Sequence, residues 1–159
     1  MNDLRVGLLG AATGRVRYLD DASAVETARI ARDEYAELAA SRPQICHPMF
    51  NGGAFGDVTP YLSEPLLRRE LDVLTEAFRA DTSIERRTLT GAELEIAIGR
   101  ALDGVRHNVG DDVGLLAPSA SLVGREAQYC RAVASFFASV AAMPESEAAA
   151  LMRGLRTLQ

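Results

Sequence analysis

Two cysteines and two histidines are the residues of this 159-residue chain most suited to covalent chemistry. Cys46 and His47 are neighbours, and a thiol becomes a useful nucleophile when a nearby base or cation lowers its pKa. Adjacent residues seldom aim their side chains at each other, so a working dyad would draw its base from elsewhere. His107 is the one other histidine, and Cys46 with His107 is therefore the candidate catalytic pair. No protease signature surrounds Cys46.

The second cysteine opens a different chemistry. Cys46 closes an expected helix, while Cys130 lies on an apolar helical stripe. A Cys46–Cys130 bridge would close a loop of about 85 residues, and chain entropy makes that worth about 4 kcal/mol. In a reducing compartment the same residues would be two buried thiols. The bridge is favoured, because it would tether the irregular segment that begins at His47.

That segment is residues 47–62, HPMFNGGAFGDVTPYL, lying between two strongly helical segments. An irregular connection of sixteen residues is long for a compact domain, and such loops are functional or packed for a reason. Its aromatic content predicts a loop folded onto the body, since a flexible linker is polar. Gly52, Gly53 and Gly56 would permit tight turns that let Phe50 and Phe55 tuck inward. The binding candidates are Phe50, Phe55, Asp57 and Tyr61, joined by Leu115 and Leu116 from a second irregular stretch over 108–120. A cover for the ends of the bundle is the competing use for these apolar residues.

Other site chemistry is poorly supported. His47, His107, Asp57, Asp111 and Asp112 match no zinc or calcium spacing, so no metal is expected. Glu93/Glu95 and Glu145/Glu147 stand two apart, which on a helix turns their carboxylates to different sides. The glycines at 52, 53 and 56 fit neither the P-loop nor the dinucleotide fingerprint, and no cofactor is implied.

The elements that would position these residues are helical. Over 22–46, Val25, Ala28, Ala31, Tyr35, Leu38 and Ala39 share one side of a wheel, with Glu26, Arg29, Asp33 and Glu37 opposite. Ser63-Glu64-Pro65 opens another helix, on which Leu67, Leu71, Leu74 and Phe78 form a stripe expected to face the core. Thr90 and Glu93 have capping-box spacing ahead of Leu94, Ile98, Ala101, Leu102 and Val105. Residues 122–143 are apolar on two adjacent stripes, so this is the expected central helix. Pro144 begins a last helix whose acidic start and basic end complement its dipole. Residues 4–19 are a glycine-interrupted helix or a loosely docked tail, and 82–89 has room for one short strand.

The fold expected is a single-domain all-α bundle of five or six helices over residues 1–159, with one long irregular loop. Its 48% hydrophobic and 25% charged residues are ordinary for a globular domain. All 17 basic residues are arginines, which suggests a GC-rich, bacterial-type coding bias. A net charge of −5, with arginine pairs beside acidic neighbours, argues against nucleic acid. No apolar run has the length of a membrane span. The composition as it stands suits the cytoplasm, or the periplasm if an export signal has been removed and the cysteines are bridged.

The leading functional expectation is a non-catalytic domain for protein–protein interaction or regulation, binding through the aromatic and glycine loop. The alternatives are a small cysteine-dependent hydrolase or transferase, and an apolar-ligand carrier with a cavity lined by Phe78, Phe136 and Phe137. The leucine stripe of the last helix would serve the core or a homodimer interface equally well.

Overall fold

The computed structural model describes residues 14–53 and 55–155, and it is all-helical. Its α-helices are α1 (Asp21–Ser41), α2 (Cys46–Phe50), α3 (Glu64–Arg79), α4 (Gly91–Val109), α5 (Glu126–Ala141) and α6 (Glu145–Leu155). Short 3-10 turns occupy Val16–Tyr18, Pro43–Ile45, Thr59–Tyr61 and Gly110–Leu116. Most of the segment expected as a first helix over 4–19 lies outside the described residues. Its end, Val16–Tyr18, is a 3-10 turn.

Helix α5 sits at the centre. It packs most extensively on α1, then on α4, and Cys130, Val133 and Val140 have no exposed surface. This is the helix whose sequence is apolar on two stripes. Its regular part is shorter than the 122–143 expected, because residues 122–125 form a turn and Gly124 adopts a φ of 72°. Helix α6 lies against α1, and Ala148, Ala149, Ala150 and Leu151 are fully buried.

Helix α1 starts where Asp20 accepts a hydrogen bond from the Ser23 amide at 2.7 Å. It stops at Ser41, short of the expected Cys46, because Pro43 disfavours helical geometry in the residue before it. The expected apolar side of α1, with Val25, Ala28, Ala31, Tyr35 and Leu38, is buried. Its other side does not simply face water. Arg69 of α3 donates to Glu26 at 2.6 and 2.9 Å and to Asp33 at 2.7 Å. Further along, Glu37 accepts from the amide and the hydroxyl of Ser63, both at 2.6 Å. Hydrogen bonding from Arg32, and then from Arg69, holds the Asp33 carboxyl below its ordinary pKa.

These polar contacts correct the expectation for α3. The arginine fork and the bonds from Ser63 to Glu37 fix its rotation on α1, and Leu66, Glu70 and Ala77 are the buried residues. The stripe Leu67, Leu71, Leu74 and Phe78 is turned about a quarter-turn away, half-buried at Leu67 and Leu74 and exposed at Leu71 and Phe78.

Three local expectations also change. Thr90 makes no side-chain cap bond, and Glu93 pairs with Arg87 instead, so the capping box is not formed. Residues 82–84 turn on Asp81 and residues 85–89 are irregular, with no strand among the described residues. The Leu89 amide instead donates to the Ala150 carbonyl at 3.1 Å, across the top of α6. Gly154 makes that crossing close, since a Cβ there would stand 2.4 Å from the Leu89 oxygen. The loop over 47–62 is partly helical, and so is 108–120, because α2 and the turns Thr59–Tyr61 and Gly110–Leu116 fall within them.

Candidate functional site

Cys46 and Cys130 form a disulfide with Cα atoms 5.5 Å apart, joining α2 to the central helix. Both residues have no exposed surface. A sulfur that is bonded and buried offers no thiolate to a substrate. His107, the candidate base, is exposed on α4 in an open groove of about 350 Å³ with Gly104, Asn108, Ser139 and Met143.

The bridge sits beside a cluster of rings. Phe50, at the end of α2, meets Tyr35, Phe136, Phe137 and Tyr129 edge to face, with centroids 6.2 to 6.4 Å apart. Tyr35 stacks on Phe137 at 5.9 Å and 14°. Such contacts add to the area that each ring buries. The loop's first half is thus anchored through one aromatic residue to helices α1 and α5.

Polar contacts finish the anchor. Asn51 donates through its side-chain amide to the Tyr129 hydroxyl and to the His47 carbonyl, each at 3.0 Å. Burial pushes the Tyr129 hydroxyl above its ordinary pKa, against the lowering effect of that Asn51 bond. His47 lies on the outer side, its ring 5.4 Å from that of Tyr129. The turn at Gly52 needs a φ of 70°, which a side chain would strain.

The far end of the loop is held as well. Asp57 accepts from the Thr59 amide at 2.9 Å, Val58 and Leu62 are buried, and the Arg42 guanidinium lies over the Tyr61 ring at 5.6 Å. Between the two anchors stands Phe55, 44% exposed.

The structure therefore separates the binding candidates that the sequence grouped. Phe55 projects at the surface, while Asp57 and Tyr61 are half-buried at the second anchor. Phe50 belongs to the ring cluster, Leu115 is buried, and Leu116 packs against the core. Phe136 and Phe137 enclose Phe50, and Phe78 stands 40% exposed beneath Arg15.

A second open groove of about 410 Å³ runs between α4 and the start of α6, past Arg87, Glu93, Ile96, Arg100 and Glu147. Its charges are paired, Arg100 with Glu147 and Arg87 with Glu93. Among the described residues, no three His, Cys, Asp or Glu side chains gather closely enough to hold a metal ion. Nor is any helix among them long and apolar enough to cross a membrane.

Sequence periodicity did not point to Arg153. It is 1% exposed, and its guanidinium donates to the carbonyls of Leu19 and Arg87 and to the Asp21 carboxylate. By sequence position it is a last-turn cation; in the fold it ties three distant segments together. Fold and bridge together define a disulfide-closed all-α bundle. No protein-family model, characterised protein or solved structure matches this chain.

Proposed function

We propose that this chain is a non-catalytic protein–protein interaction domain that binds through the tip of the loop around Phe55. The observation that carries the reading is an exposed aromatic ring on a loop fixed at both ends. One end is held by the disulfide and Phe50, the other by Val58, Leu62 and the Arg42–Tyr61 contact.

Aromatic residues are the commonest energetic anchors of protein interfaces, and a loop already ordered loses little freedom on binding. Loops carried by a rigid scaffold are also the usual seat of recognition. A buried disulfide suits an oxidising compartment, so the partner is sought outside the cytoplasm.

Phe55→Ala tests the reading. Removing a ring that is 44% exposed should move the melting temperature by no more than about 2 °C, while capture of the partner falls at least tenfold. A melting temperature lowered by roughly 8 °C or more, with capture unchanged, would make Phe55 a cover for the core.

A further inference from the structure

One connection is held far more loosely than the others, the segment 117–125 between the turn Gly110–Leu116 and the central helix α5. Seven of its nine residues are exposed, and Val123, at 88%, is the most exposed large apolar residue among those described. Among the described residues, no backbone group of 118–123 bonds to another element. The Ala120 and Arg125 amides only close turns on the Ala117 and Leu122 carbonyls, at 3.0 and 2.8 Å. The connections over 51–63 and 80–90 differ. The first is anchored at both ends, and the second is tied down where Leu89 meets Ala150 and where Arg153 reaches the Arg87 carbonyl.

Free backbone is what an endoprotease requires, because it takes its substrate as an added extended strand. Opening the segment breaks one turn bond and lifts one half-buried side chain, Leu122, which is far less than unfolding the domain. Apart from its chain neighbours, no heavy atom stands within 4 Å of the place where a Cβ on Gly124 would sit. The Val123–Gly124 bond is therefore open on both sides. We propose that this bond is a processing site for a serine endoprotease with a small apolar primary pocket, of the elastase type, into which the Val123 side chain fits. Water adds across the amide: the C–N bond breaks, Val123 keeps a carboxylate, and Gly124 leaves as an amine that takes up a proton.

The fold already supplies what the cut molecule needs. Glu126 accepts from the Gly124 amide at 3.3 Å, so the new ammonium, which would otherwise oppose the dipole at the start of α5, stands beside a carboxylate. Arg125 pairs with Asp112 at 2.7 Å and keeps that end of α5 against the turn it left. Cys46 precedes the cut and Cys130 follows it, so the bridge joins the two products. The piece 124–159 carries α5 and α6, whose Val133, Val140 and Leu151 have no exposed surface, and it keeps its seat in the core. The product is a two-chain molecule closed by one disulfide. Phe55 is untouched by the cut, so this proposal stands or falls apart from the interaction reading.

Brief digestion of the oxidised full chain with pancreatic elastase, followed by intact mass, tests the site. Within 14–155 the first cut should fall at Val123–Gly124, giving a species one water heavier than the parent. Reduction should split it into one piece ending at Val123 and another beginning at Gly124. Val123→Glu should slow that cut about tenfold or more and shift the melting temperature by no more than about 1 °C, because the side chain is exposed. Protein taken unreduced from its native cells should carry the same cut. A first cut elsewhere in 14–155, equal rates for the parent and V123E, or an uncut chain in those cells would each overturn the proposal. So would a cutting rate that rises with urea as steeply as unfolding does, since the bond would then be reached only through the unfolded chain.

Discussion

Replacing Cys46 and Cys130 together by alanine isolates what the bridge contributes. The two residues lie 84 apart in sequence, so the bridge closes most of the distance between α2 and the central helix in the unfolded chain. Chain-entropy loss for a loop of this length is about 15 cal/mol/K, or about 4.5 kcal/mol at 25 °C. The vacated sulfur positions have no exposed surface, so unfilled space adds to the loss. For a domain of this size the melting temperature should fall by roughly 10–18 °C. The assay is urea unfolding of oxidised parent and C46A/C130A, followed by amide exchange under native conditions. The loss should also be uneven in space: amides of α2 and of 51–53 should exchange much faster, while those of α5 exchange only as global stability falls. A difference in unfolding free energy below about 1 kcal/mol, or uniform exchange throughout, would refute the argument that the bridge restrains the loop.

Two substitutions in α6 and one control in α4 test the packing around α6. Arg153→Met should destabilise by about 2–4 kcal/mol in urea unfolding, because the buried Leu19 carbonyl and the part-buried Arg87 carbonyl lose their donor; a change under about 0.5 kcal/mol would refute that role. Gly154→Ala should destabilise by about 2 kcal/mol, since its Cβ would meet the Leu89 oxygen at 2.4 Å, whereas Gly99→Ala, with nothing within 4 Å, should stabilise by about 0.5–1 kcal/mol. Changes of the same sign in both glycine variants would mean that residue 89 does not cross α6 as described.

The parts of the fold legible in the sequence are those set by local periodicity. Residues 122–143 carry two apolar stripes, and α5 is accordingly surrounded by other helices. The apolar positions of α1 also repeat at helical spacing, and they are the ones buried. The pairing of Cys46 with Cys130 followed from there being two cysteines at helix positions that a compact bundle can bring together.

The features that local pattern missed were decided across distance. Glu26, Asp33 and Glu37 have the spacing of a solvent face, yet they bind Arg69 and Ser63 from 43, 36 and 26 residues away. That network turns α3 and exposes a stripe which periodicity alone assigns to the core. The capping box at Thr90 fails locally, since Glu93 pairs with Arg87 six residues before it.

At the candidate site, the ring cluster absorbed Phe50, and Leu115 went to the core. Both are apolar residues in segments that gain a helical turn and with it a packed face. Phe55 stayed outside because Gly52, Gly53 and Gly56 shape the chain around it without adding side chains that could pack.

The most direct test of the interaction reading is a photo-crosslinking amino acid placed at position 55 of the full chain, expressed in its native cells and kept oxidised. The account predicts a crosslink to one other protein, abolished when the Cys46–Cys130 bridge is removed. Crosslinks confined to the chain itself, or the same crosslinks with and without the bridge, would contradict it.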